Sequence, residues 1–242
     1  MTHKPILAAA ILWGAMGLQA AANQADMALQ SRVTKRLHDA NFDSVTVTVS
    51  DRIATLTGVV DRLSKSERAQ RLARKTEGLS GLRNEIQVRS TTSDEEIARE
   101  VARQIRLFPF YDIFDLVDGE VKDGAVTLRG SVRLPQRYHD YANLVKQVSG
   151  ARSVTNLLEV LPTSSFDDEL RIRVARAVYG SAGLGPRYGN QAHPPIHIIV
   201  KNGTVRLEGV VLTSLDKQLA GKAARFAATY FALENNLQIA KG

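Results

Sequence analysis

The chain has 242 residues, 44% of them hydrophobic and 24% charged, which suits a globular protein and excludes a disordered or collagen-like chain. Thirty-two Lys and Arg against 25 Asp and Glu leave a formal charge of +7, a balance that favours an anionic partner without naming it. The absence of cysteine excludes a disulfide scaffold, thiolate metal sites and a cysteine nucleophile.

In chain order, Met1-Thr2-His3-Lys4-Pro5 is weakly positive and is followed by an apolar run from Ile6 to Leu18. Small residues follow, and Ala20-Ala21-Ala22 offers a cut before Asn23. This is the layout of a secretory signal peptide over residues 1–22, and the run is too short for the ~20 residues of a membrane-spanning helix. The expected location is the periplasm, where a cysteine-free chain is at no risk of stray oxidation. Loss of residues 1–22 removes one charged group, Lys4, and leaves +6.

The remainder is one unit written three times. Asp51-Arg-Ile-Ala-Thr-Leu-Thr-Gly58, Asp123-Gly-Ala-Val-Thr-Leu-Arg-Gly130 and Asn202-Gly-Thr-Val-Arg-Leu-Glu-Gly209 align without gaps. From the last Gly of each to a landmark Asn (84, 156 or 235) the separation is 26 residues in every copy. Upstream, Leu29/Val33/Leu37, Ile97/Val101/Ile105 and Leu170/Val174/Val178 form one apolar stripe of a first helix. Two alternating strands follow, exemplified by Val45-Thr-Val-Thr-Val49 and Ile53-Ala-Thr-Leu-Thr57, and a hairpin turn joins them. Asp123-Gly124 and Asn202-Gly203 suit a two-residue turn, whereas Asp51-Arg52 predicts a looser bend. A second helix is expected over roughly 62–77, 135–149 and 213–228, and a third strand closes each copy around its Asn. Gly58, Gly130 and Gly209, each ending a strand, predict positive φ or close backbone approach.

The predicted fold class is α+β: three tandem two-layer domains, each αββαβ, with two helices on one face of a three-stranded mixed sheet. Their expected bounds are 26–92, 93–163 and 164–240. The segment between first helix and first strand varies in length among the copies and is longest in the third, around 180–195.

These residues resemble the BON domain of secreted and periplasmic bacterial proteins, with its DG-x-VTL-x-G hairpin and its GV-x-x-V-x-N before the last strand. Here the pattern reads Asp123-Gly124 to Gly130 and Gly150-Ala-Arg-Ser-Val154-Thr-Asn156. The first copy departs at Arg52 and Gly78-Leu79, the third at Thr229-Tyr230. The resemblance implies non-enzymatic attachment to phospholipid or envelope components, linked to osmotic or envelope stress.

Residue types that carry catalysis find no supporting pattern. His193 and His197 are four apart, but Pro194-Pro195 breaks the helix that would align them on a metal. No serine-hydrolase elbow, zinc-protease helix or phosphate loop is present in the sequence. Gly180-Ser-Ala-Gly183-Leu-Gly185 runs into Pro186 and reads as a loop, and Asp167-Asp168-Glu169 reads as helix capping. No enzyme, no cofactor and no metal are expected.

Two surfaces point to a partner. On the second helix of the first domain, Arg62, Lys65, Arg68, Arg71 and Lys75 recur at helical spacing. Near an anionic bilayer each such base contributes ~1 kcal/mol at low salt. In the second domain Arg103 and Arg106 lead into Phe108, Phe110 and Tyr111, a candidate aromatic tip, with Glu95 and Glu96 available to pair with the arginines. Core packing or a domain–domain contact is the alternative reading of the aromatics. The expected partner is an anionic phospholipid headgroup, met peripherally, or else an envelope protein or cell-wall component. Nucleic acid is disfavoured, because the domain charges of +4, −2 and +4 interrupt a basic track.

Overall fold

The computed structural model describes residues 7–89 and 91–240, with side chains from residue 21 onward. The proposed signal segment therefore lies outside the described residues apart from a helical backbone from Leu7. Among the described residues no helix is long and apolar enough to cross a membrane. The chain forms two compact units, one of residues 1–91 with 149–152, the other of 92–148 with 153–242.

In the first unit, α1 (Leu7–His38) leads to the hairpin β1 (Val45–Ser50) and β2 (Ile53–Val60), then α2 (Leu63–Arg74). The third strand comes in two pieces, β3 (Gly81–Asn84) and β4 (Gln87–Val88). Strand β2 is central, antiparallel to β1 with Val47 opposite Leu56, and parallel to β3 with Ala54 opposite Leu82. Alternate residues of the hairpin and one stripe of each helix meet in a core of Val33, Leu37, Val47, Leu56, Ala69 and Ala73.

The second unit holds two more copies. The first has α3 (Asp94–Leu107), β5 (Leu116–Lys122), β6 (Ala125–Val132), α4 (Pro135–Val145) and an unbroken β7 (Ser153–Val160). The other has α5 (Ser165–Tyr179), one π-helical turn at Gly185–Gly189, β8 (Ile196–Lys201), β9 (Thr204–Val211) and α6 (Ser214–Ala227), then β10 (Ala232–Asn235) and β11 (Gln238–Ile239). In both, the middle strand pairs antiparallel on one side and parallel on the other. Each copy is thus a two-layer α+β domain with a three-strand mixed sheet, the third strand pausing after its Asn in copies one and three.

Three local devices, two of them polar, repeat with the fold. Asp26, Asp94 and Asp167, each three residues before the apolar stripe, accept both backbone N–H groups of their own hairpin turn at 2.7–2.9 Å. Asn84, Asn156 and Asn235 each donate through Nδ2 to the second helix, to the carbonyls of Ser66, Tyr138 and Lys217. Gly130 has φ +123°, and a Cβ there would stand 2.0 Å from the Leu116 carbonyl oxygen at the start of β5. Gly58 and Gly209 have φ +128° and +115° and meet the equivalent carbonyls of Ser44 and Pro195.

The looser bend expected at Asp51-Arg52 is not found. Ser50 lies opposite Ile53, a two-residue turn, with φ +51° at Asp51 and +62° at Arg52. Asp26 binds both N–H groups and the Arg52 Nε donates to the Gly78 carbonyl at 2.7 Å, contacts that offset the unfavourable left-handed conformation of Arg52.

Candidate functional site

Helix α2 buries Ser66, Ala69 and Ala73 and packs Leu72 against the core, which leaves its basic residues to solvent. Arg62, Lys65, Arg68, Arg71 and Lys75 are all exposed. Their charge is partly offset: Lys65 and Arg62 reach Asp61 at 2.7 and 3.5 Å, and Arg71 reaches Glu67 at 3.7 Å. The hydrogen bond from Lys65 holds the Asp61 carboxyl below its ordinary range. Arg68 is exposed, and its guanidinium carbon stands 5.8 Å from the centre of the Phe42 ring, a cation–π contact at the edge of the basic face. Arg32, Lys35 and Arg36 of α1 line one shallow cleft with Lys75, alongside Asp39 and Glu77. Sequence reasoning missed this extension, although 32, 35 and 36 already stood at helical spacing.

The second set separates. Arg103 is held by Glu100 through paired bonds of 2.6 and 2.7 Å, and with Gln104 it holds the Glu100 carboxyl down at about 2. The i,i+3 geometry allows the planar guanidinium to meet both oxygens. Arg106 is exposed beside Leu107 and Phe110, the latter 64% exposed. Phe108 turns inward, its ring 5.4 Å from that of Tyr141 and 5.5 Å from Phe110. Tyr111 is half-buried, and its hydroxyl meets His197 Nε2 at 3.2 Å. Burial, aided by the Asp115 charge, pushes that hydroxyl up to about 12. Ile113 and Phe114 pack on the core of the third copy, and the Ile113 carbonyl accepts from Ile198 N–H at 2.7 Å. Of the aromatic trio, Phe110 alone stands mostly in solvent.

Beneath the segment sits a buried carboxylate. Asp115 accepts from Arg137 Nη1 at 2.6 Å, Tyr141 OH at 2.9 Å and Arg133 N–H at 2.9 Å. Arg137 also reaches Asp112 at 2.9 Å, so the charge is paired and its lone pairs are satisfied. Above it opens a cleft of about 560 Å³, lined by Val101, Ile105, Val117, Tyr111, Arg106 and His197 among others. Burial holds the His197 imidazole below its ordinary value, although the Asp115 backbone and the nearby acidic charges pull the other way. Among the described residues no cluster of His, Asp and Glu has the arrangement of a metal site.

No curated protein matches the chain. Two solved structures of CdsD, a structural protein of the type III secretion system of Chlamydia trachomatis, align with 86% of it. They are covered over 96% and 91% of their own lengths at 12% and 14% identity. Both give a TM-score of 0.25, too low to carry an argument. The BON domain family model matches three times, at residues 25–90, 93–162 and 186–241, which together are most of the chain. With the thrice-repeated fold already in view, the chain belongs to the BON domain family.

Proposed function

We propose that this chain is a non-enzymatic periplasmic protein that attaches peripherally to anionic phospholipid surfaces and serves in osmotic or envelope stress protection. The observation that carries this reading is the basic face of α2, where Arg68, Arg74 and Lys75 are exposed with no paired carboxylate among the described residues. Arg32 and Lys35 extend the charge onto α1. Bases held on a rigid helix act together on a charged bilayer at ~1 kcal/mol each, enough for weak, reversible attachment. BON domains are associated with phospholipid binding, which agrees with this chemistry.

Vesicle pelleting tests it. Arg68→Glu/Arg71→Glu should weaken binding to anionic vesicles roughly tenfold or more at low salt, and should flatten its salt dependence, because these charges act through screened attraction. Phe110→Ser should weaken binding at all salt levels through lost apolar area; Tyr111 is left intact because it holds His197. A wild-type chain that ignores vesicles of every composition would sink the proposal. The reading as a protein-interaction module would then lead, favoured by the Ile113–Ile198 backbone bond through which one copy docks on another.

A further inference from the structure

Three phenylalanines of the third copy stand outside its core: Phe166, Phe226 and Phe231 are 52%, 78% and 86% exposed. They are three of the chain's seven, and the fold gathers them at one end of the domain. Asp167, next to Phe166, binds the turn N–H groups of Asn202 and Gly203 at 2.8 Å, so α5 begins over the hairpin. The Phe231 N–H donates to the Gly203 carbonyl at 3.0 Å, and a Cβ on Gly203 would stand 2.5 Å from the Phe231 ring. Phe226 lies in the last turn of α6, which ends where β10 starts beside Thr204. The core beneath is already filled by Ala224, Tyr230 and Leu233, so the three rings are surplus to it.

Charge left over at this end is mainly positive. Lys222 and Arg225, four residues and one residue before Phe226, are exposed and have no ion pair among the described residues. Nearby carboxylates are spoken for: Asp167 by the hairpin, Asp168 by Arg171, Glu169 by Arg173 and Glu159 by Lys201. Glu234 remains, on β10 in a shallow cleft with Lys201 and Arg206.

We infer that this hairpin end of the third domain is where the chain inserts into an anionic bilayer, with Phe166, Phe226 and Phe231 entering the headgroup–acyl boundary and Lys222 and Arg225 meeting phosphate. The inference rests on the phospholipid reading above and adds a further point of entry, distinct from Phe110. Exposed rings at one end of the domain, flanked by cations with no ion pair among the described residues, match the chemistry of a bilayer interface. A single end of one domain also suffices for weak, reversible anchoring, since each buried ring removes apolar area from water.

Trp13, the chain's single tryptophan, lies in the proposed signal segment, so the exported chain that starts at Asn23 is already a silent background. In it, Phe226→Trp reports on the hairpin end, and Leu212→Trp, an exposed site past the far end of β9, is the control. Emission of the 226 reporter should shift to the blue with vesicles of phosphatidylcholine plus phosphatidylglycerol, not with phosphatidylcholine alone, and the 212 control should not shift. Without a reporter, Phe226→Ser/Phe231→Ser should weaken pelleting about tenfold or more, and Lys222→Glu/Arg225→Glu should weaken it at low salt. Circular dichroism checks that both stay folded. Insertion here is overturned if the chain pellets without a 226 shift, if both reporters shift alike, or if the folded Ser variant binds as wild type. It is overturned too if that variant abolishes self-association in ultracentrifugation and leaves vesicle binding intact, since the end is then a contact between copies. In all four outcomes the phospholipid reading stands. Failure of the chain to pellet with any vesicle ends both.

Discussion

Gly130 shows how one atom fixes a repeat. Its φ of +123° is a conformation that L side chains avoid, and the position of a Cβ is already taken by the Leu116 carbonyl, 2.0 Å away. Since the Cβ itself is the offender, Gly130→Ala should destabilise nearly as much as Gly130→Val, by several kcal/mol in each case. Calorimetry of the whole chain should show the transition of the second unit lowered by several degrees in both variants. An unchanged midpoint in Gly130→Ala would refute this account. The landmark Asn residues owe their fixed place to a similar economy. Asn156 donates to the Tyr138 carbonyl at 2.6 Å and accepts from Leu158 N–H at 3.2 Å, which ties the last strand to the second helix. Glycine and asparagine were legible as landmarks because each geometry admits one residue type. Of the aspartates that grip the hairpins, Asp167 reads in sequence as helix capping and Asp26 and Asp94 draw no notice, although their three-residue lead on the apolar stripe is equally constant.

Helices and strands were read from period, and the hairpin turns from their Asp-Gly and Asn-Gly pairs, because local sterics decide both. The turn of the first copy was misread for the complementary reason. What holds Arg52 at φ +62° is Asp26, twenty-six residues upstream, and no local rule contains that contact. The same carboxylate device provides a graded test. Asp167 is fully buried and Asp26 half-buried, yet each satisfies two turn N–H groups. Truncation strands those donors, at about 1–3 kcal/mol apiece where water cannot replace the acceptor. Asp167→Ala should therefore destabilise its unit clearly more than Asp26→Ala destabilises the first. Asp167→Asn should fall between Asp167→Ala and wild type, because an amide offers one acceptor oxygen to two donors. Urea unfolding gives the order, and hydrogen exchange at Asn202 and Gly203 localises it. Equal losses for Asp167→Ala and Asp26→Ala would remove burial from the explanation.

Within the second unit, the segment from Phe108 to Phe114 divides its side chains between solvent and the neighbouring copy, a division invisible in sequence. An aromatic run without period does not say which way each ring turns, and the partner of Tyr111 is 86 residues away at His197. Strand β8 carried the matching clue: Ile199 and His197, on the face opposite Ile196, Ile198 and Val200, are buried as well. Covering that second face encloses an imidazole. Around His197 stand the Tyr111 hydroxyl, the carboxylates of Asp112, Asp115 and Glu208, and the His193 ring across Tyr111. Desolvation outweighs the three acidic neighbours and holds the imidazole below its ordinary value. The unfolded chain then takes up a proton near pH 6.5 while the folded chain does not, so stability is complete above that pH and declines as pH falls toward the lowered folded value. The slope from this one proton is at most about 1.4 kcal/mol per pH unit. Urea midpoints of the second unit measured between pH 7.5 and 5.5, above the main carboxylate titrations, should fall with acid in wild type. His197→Gln keeps a hydrogen-bond partner for Tyr111 and has nothing to protonate, so its profile should be flatter over the same range. Parallel profiles would mean that the imidazole is as readily protonated in the folded chain as in the unfolded one, and that the contact between the two copies does not sense pH through it.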